Sequence, residues 1–391
     1  MVRASRNGEG LTVEMTKAGR AAPAGPSPTR RPHLTGQLRL AFACVSTLLI
    51  GAATGCGGSS APPEPGANSP AGGQPAASRS SAGSAWGAAT HLDHSQGEED
   101  PTSVSCPSAR FCMAVLASGY AAAYDGATWS RPTRLSSSTV EPASVSCPTA
   151  SFCMAVDAQD SSTFLFNGST WSSAPGIDDP VLNTRIGMAS VSCPSPRFCA
   201  SVDNGANAFT FNGTSWGRAT AIDPGHELST VSCPSANFCA AVDYGPNVLT
   251  FNGTSWSKPF AIDPGSYLQA VSCASASFCV AIDRKGNAFT FHGSTWSAPV
   301  NADPNGLTMG EGGISWPVVS CPASNFCAAV DGGGGSVVTF DGDSWSAPLT
   351  IDSAAVNSVS GRVLKFLMSV ACLSAGFCVA GDSTGDVFIR S

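Results

Sequence analysis

Charge is scarce in this sequence. Asp, Glu, Lys and Arg together make up 12% of 391 residues, with four tyrosines and five histidines. So thin a supply of Glu, Lys and Arg argues against long solvent-facing helices, which carry those residues on their outer side. The histidines, His33, His91, His94, His226 and His292, are scattered, and no serine nucleophile motif, histidine pair or metal triad appears. No cofactor or metal site is therefore expected. Basic residues are scarcer still. From residue 57 onward, thirteen Lys and Arg face twenty-five Asp and Glu, a net of −12, which argues against nucleic acid, whose phosphates demand basic surfaces. A membrane-spanning length of apolar chain is missing as well. The uncharged stretch LAFACVSTLLIGAATG, residues 40–55, has sixteen residues, short for a span and right for a signal-peptide core.

Cysteine is plentiful and regular. Fourteen of the sixteen fall into C-x5-C pairs: Cys106 with Cys112, Cys147 with Cys153, Cys193 with Cys199, Cys233 with Cys239, Cys273 with Cys279, Cys321 with Cys327 and Cys372 with Cys378. Zinc ligands come at tighter spacing and in sets of four. Pairing without remainder in this part of the chain points instead to disulfides made in an oxidising compartment. Cys44 and Cys56 stand apart, in the N-terminal segment.

Arg30, Arg31 and Arg39 precede the apolar stretch, which ends in ATGC at Cys56. In those residues the segment resembles the signal peptide of bacterial lipoproteins, whose lipobox sets small residues before a lipidated cysteine. The resemblance implies cleavage after Gly55 and a lipid on Cys56. Ala53 stands where the usual pattern has Leu, so plain secretion stays open. Residues 57–85, GGSSAPPEPGANSPAGGQPAASRSSAGSA, have almost no large apolar side chains and are expected to form a flexible tether. The chain thus divides into a signal segment (1–56), a tether (57–85) and a folded part (86–391).

The folded part repeats. The first cysteines of the pairs are spaced 41, 46, 40, 40, 48 and 51 residues apart. One unit, VSCPSANFCAAVDYGPNVLTFNGTSWSKPFAIDPG (231–265), reads as four short strands: VSC, FCAAVD after a Pro-Ser turn, VLTF, and SWSKPFAI after the Asn252-Gly253 hairpin signal. An aromatic precedes a tryptophan by five residues in six units: Tyr124 before Trp129, Phe166 before Trp171, Phe211 before Trp216, Phe251 before Trp256, Phe291 before Trp296 and Phe340 before Trp345. The last unit reaches Phe388 in DVFIRS and has no tryptophan, whereas Trp86 stands unclaimed before the first unit; Trp316 lies outside the pattern.

Four strands per unit of about 40–45 residues resembles the β-propeller repeat. The VSCPSxxFC variant is similar to repeats in secreted proteins of high-GC bacteria. The resemblance implies an all-β, seven-bladed propeller of four-stranded blades. Residues 86–93 would close the ring by pairing in the last blade, because an open solenoid would leave unpaired edges.

Strand alternation then sets the Cys and Asn-Gly turns on one face, and the second-to-third turns and blade crossovers on the other. On the latter face two aspartate series coincide. Asp157, Asp203, Asp243, Asp283, Asp331 and Asp382 follow the second cysteines by four residues. Asp93, Asp178, Asp223, Asp263, Asp303 and Asp352 follow the tryptophans by seven. Turn chemistry is one reading, since Asp accepts backbone N–H bonds at turn starts; an acidic mouth for a cation or basic partner is the other. The longest crossovers, entering the sixth and seventh blades, carry Trp316, Arg362, Lys365 and Phe366. They would either grip a partner or cap the channel.

The expected function is a non-catalytic binding module for protein or glycan at the cell envelope, monomeric, and held to the membrane by an N-terminal lipid or secreted. A carbohydrate-active hydrolase or lyase of the sialidase type is the alternative. Its arginine cluster finds poor material here, because Arg110 and Arg197 lie in the Cys turns, opposite the aspartates, and the Asp-box pattern is absent. A periplasmic scaffold is a third possibility.

Overall fold

In the computed structural model the described residues are 85–92, 100–159, 161–174, 177, 187–302, 317–330, 335–353 and 365–391. Cys56 and all but the last residue of the 57–85 tether lie outside them. The described residues form seven four-stranded antiparallel sheets arranged as a ring, with no helix among them. Blade 4 is representative, with strands Leu228–Ser235, Phe238–Asp243, Asn247–Phe251 and Phe260–Ala261. The innermost strands of blades 1 to 7 begin at Pro101, Pro142, Met188, Leu228, Leu268, Val318 and Leu367. The protein is a seven-bladed β-propeller, closed as the repeat count implies. Thr90–His91 pairs with Asp386–Arg390 as the outer strand of blade 7, and Trp86 bridges Arg390.

Three local details differ from the sequence expectation. Pro234 and Ser235 lie inside the first strand, at a register shift between Ser232 and Ser235, and not in the turn. Proline has no N–H for the ladder, so it sits where the pairing is already interrupted. The outer strand is also broken. Trp256 opposes Phe251 and Phe260 opposes Val248, one residue out of step, so Ser257–Pro259 forms a bulge. There the Ser257 hydroxyl accepts the Thr250 N–H at 3.0 Å. Third, the closing register aligns Arg390, not Phe388, with the pre-tryptophan aromatic of the other blades. From the interface of blades 1 and 2 to that of blades 5 and 6, a second-strand phenylalanine packs against that aromatic in the next blade, as in Phe278 on Phe340 at 6.3 Å. Between blades 6 and 7 the Arg390 guanidinium lies over the Phe326 ring at 5.3 Å, a cation–π contact replacing the ring stack.

Each of the seven buried clusters found among the described residues joins two neighbouring blades. Between blades 3 and 4 the cluster holds Val202, Ala208, Leu228, Val231, Leu249 and Phe251 with both Cys233 and Cys239. All seven C-x5-C pairs form disulfides, one in each blade. Cys106 is bonded to Cys112, Cys147 to Cys153, Cys193 to Cys199 and Cys233 to Cys239. In blades 5 to 7, Cys273 is bonded to Cys279, Cys321 to Cys327 and Cys372 to Cys378. Each bridge links the first strand of its blade to the second. The second-strand sulfurs, those of Cys112, Cys153, Cys199, Cys239, Cys279, Cys327 and Cys378, belong to residues with no exposed surface. The bridges are therefore local staples that also fill part of cores rich in Ala and Val.

The repeated serine before each first cysteine has a structural role that the pattern alone did not announce. Its hydroxyl accepts the Cys N–H of the next blade, from Ser105 to Cys147 around to Ser320 to Cys372, always at 2.9 Å. Inner-strand amides that would otherwise form an exposed edge are satisfied in this way. The belt has six members. At the closing interface Ala371 stands where the seventh serine would be.

Candidate functional site

Both faces are as the strand alternation requires. The Asn-Gly turns pack on the Cys turns. At Gly253, φ is +92° and an added Cβ would lie 3.2 Å from the Asn237 Cα, which explains the glycine twice over. Gly126 and Gly213 meet Arg110 and Arg197 in the same way, so both arginines lie on this face.

On the opposite face, the aspartates of the first series organise the second-to-third turns. Asp203 Oδ1 accepts the N–H groups of Gly205 and Asn207, and Oδ2 accepts Asn207 Nδ2. Asp243 repeats this with Gly245 and Asn247, and Asp283 with Lys285 and Asn287. Asp382 accepts from Thr384 and Asp386, and Asp157 from Gln159 and Glu141. All five are buried. Asp93, Asp178, Asp303, Asp331, Trp316 and Arg362 lie outside the described residues.

The second series, at the blade exits, meets the first across blade interfaces. Asp223 of blade 3 lies beside Asp243 of blade 4, and Asp263 of blade 4 beside Asp283 of blade 5. Asp352 of blade 6 is within electrostatic reach of Lys365, whose Nζ lies 3.4 Å from Asp382 Oδ2 and 2.7 Å from Asp386 Oδ2. Asp223, Asp263 and Asp352 are buried too, so these carboxylates lie beneath the face and do not line it. Phe366 is half-buried, its backbone N–H donating to Ser383 Oγ.

Burial, and then the neighbouring Asp223 carboxyl, raises the pKa of Asp243 against the opposing Asn247 hydrogen bonds. Burial and then Asp283 likewise raise Asp263, with the Gly265 amide and Lys285 acting the other way. Burial also pushes Asp386 up, but hydrogen bonds from Lys365 and His91 outweigh it and hold the group below its ordinary value.

A basic side chain attends each of these three interfaces. His226 Nδ1 is 3.1 Å from Asp223 Oδ1, Lys285 Nζ donates to Gly265 O beside Asp263, and Lys365 serves blades 6 and 7. His226 and Lys285 were not singled out from sequence. Their signal is weak, since each is only a nearby residue in a turn phrase (DPGH, DRKGN).

Asp263 gives a test with a definite sign. Its Oδ2 is buried without a hydrogen-bond partner, and the residue is only 9% exposed. Because its folded pKa is raised, its contribution to stability falls as pH rises from about 4, its unfolded value, through the folded value. Asp263→Asn removes the like charge and offers Asp283 a donor. We expect denaturant melts to show about 1 kcal/mol of stabilisation at pH 7 and little below about pH 4. A destabilised variant at pH 7 would contradict the repulsive reading.

Two grooves open between outer hairpins. The one between blades 3 and 4 has a volume of about 750 Å³ and is lined by Phe211, Phe251, Trp256, Arg218 and Lys258. The next, of about 570 Å³ between blades 4 and 5, is lined by Phe260, Phe291, Trp296 and again Lys258. Along this rim Phe260, Val300 and Leu349 occupy equivalent outer-strand positions and are 61%, 55% and 55% exposed. Blades 1, 3 and 7 place Thr133, Thr220 and Thr90 there. The stripe thus breaks the symmetry of the ring.

No family model and no curated protein matches the chain. Solved structures do. YCF48 from Cyanidioschyzon merolae superposes with a TM-score of 0.55 at 15% identity, covering 78% of this chain and 98% of that one. YCF48 bound to D1 peptide gives 0.57 at 14%, covering 78% and 96%. A streptogramin B lyase gives 0.62 at 6%, covering 78% and 97%. At these identities the likeness is one of fold.

Proposed function

We propose that the chain is a non-catalytic binding module of the cell envelope, tethered through a lipid on Cys56 or secreted, that holds a protein partner along the rim of blades 4 to 6. The exposed stripe of Phe260, Val300 and Leu349 carries this reading. Apolar side chains aligned on neighbouring blades beside aromatic-floored grooves are what an interaction surface requires. Two further features support it. The described first-series aspartates are engaged by turn amides, which suits a structural role better than catalysis. One fold relative, YCF48, has been solved with a peptide bound.

Capture from envelope extracts on the immobilised, disulfide-intact protein tests the proposal. Phe260→Ser and Leu349→Ser, both at exposed positions, are expected to leave the melt unchanged and to lower capture by about tenfold. Protease or periodate treatment of the extract separates a protein partner from a glycan. Capture that ignores both substitutions would refute the rim as the binding surface.

A further inference from the structure

Each described interblade carboxylate pair is accompanied by a basic side chain, but not always of the same kind. Between blades 6 and 7 an ammonium, Lys365 Nζ, lies 3.4 Å from Asp382 Oδ2. Between blades 4 and 5 it is Lys285, which reaches Gly265 O and leaves Asp263 Oδ2, nine-tenths buried, with no hydrogen-bond partner. Between blades 3 and 4 the companion is His226. A protonated amine only neutralises, whereas an imidazole nitrogen donates an electron pair to a metal. The recurring place therefore holds a basic side chain at all three described interfaces, an ammonium at two of them. At one interface it is lined by a group able to ligate.

We propose that Asp223, His226 and Asp243 form a site for a divalent transition ion of the zinc class. One ligand atom from each of the three lies within 4.8 Å of the other two. One nitrogen and two carboxylate oxygens suit zinc or cobalt, and fall short of the six to eight oxygens calcium takes. Asn247 Nδ2 donates to Asp243 Oδ2 at 2.7 Å and lies 3.5 Å from Asp223 Oδ2, so it orients both carboxylates. Both aspartates are buried, while the His226 side chain is 51% exposed and gives an ion access from solvent. Because Asp223 belongs to blade 3 and Asp243 to blade 4, a bound ion would link the two blades that border the larger groove.

The test uses the whole disulfide-intact protein, stripped with chelator and titrated with Zn²⁺ and Co²⁺. Wild type is expected to take up one equivalent, to melt at a temperature that rises with Zn²⁺ concentration, and to develop a cobalt ligand-field absorption. His226→Lys puts an ammonium where the other two interfaces have one. It is expected to melt like metal-free wild type and to lose the metal response, with affinity lowered at least about tenfold. Asp223→Asn should weaken binding in the same direction. No uptake by wild type, or equal uptake by wild type and His226→Lys, would overturn the assignment, the latter by moving the ion to the other histidines.

Discussion

Deleting residues 86–92 is expected to abolish the single cooperative melt of the ring and to leave an aggregating chain. The segment supplies the outer strand of blade 7, pairing Thr90 with Val387 and His91 with Asp386. The Gly87 and Leu92 amides donate to Ile389 O and Gly385 O. Leu92 is buried in the closing cluster with Val104, Leu116 and Val387. Burial of that leucine is worth about 2 kcal/mol, and the backbone hydrogen bonds contribute about 1 kcal/mol each. The loss is thus a large part of the 5–15 kcal/mol that a folded domain has in total. It also exposes the strand Asp386–Arg390 as a free edge. Moving the same residues behind Ser391 should restore the melt. In blade 4 four residues separate Phe251 from Trp256, and Arg390 is the counterpart of Phe251. With Ser391 as the first of the four, a three-residue link containing glycine completes the hairpin. A deleted protein that melts like the intact one would show that closure contributes little.

The register shows where sequence reading succeeds and where it stops. Blade count, strand count and the displaced Trp86 are periodic features, and periodicity survives in one dimension. The Cys pairs are legible because their spacing alone places both sulfurs across one tight hairpin. Arg390 in place of an aromatic is not legible, because the pattern supplies only an aromatic, Phe388, in the wrong register. The hydrogen-bond belt was hidden for a different reason. Ser232 and Cys273 are forty-one residues apart, and nothing about a serine in VSC tells a ladder role from a cross-blade one.

The candidate site follows the same division. The aspartate positions are readable as series, and their turn bonds follow from Asp-x-Gly and Asp-x-x-x-Asn phrases. What the sequence did not reveal is that an exit aspartate of one blade meets a turn aspartate of the next. That contact depends on the rotation between neighbouring sheets. The consequence is energetic. Two buried carboxylates side by side need compensation, and a basic side chain, His226, Lys285 or Lys365, stands beside each described pair. The exposed stripe on blades 4 to 6 was equally hidden, since outer-strand facing depends on a bulge that shifts the alternation by one residue.

Full reduction of the disulfides is expected to unfold the propeller, and the first bridges to yield should be those beside the closing interface. Each C-x5-C loop constrains the unfolded chain by about 2 kcal/mol. The loops do not overlap, so their contributions accumulate to the size of a whole domain's stability. The cores they sit in are dominated by Ala, Val and Cys and supply less burial than larger side chains would. Access is not uniform. The second cysteine of every pair is fully buried and the first is buried in blades 2 to 6, but Cys106 and Cys372 are only half-buried. These belong to blades 1 and 7, which also lack the serine link at Ala371. Pulsed alkylation with mass spectrometry, under native conditions with a phosphine reductant, should label Cys106 with Cys112, and Cys372 with Cys378, before the other five pairs. The melt should then broaden before it disappears. Labelling that begins in blades 3 to 5, or that strikes all seven pairs in one phase, would mean that the closing interface is no weaker than the rest.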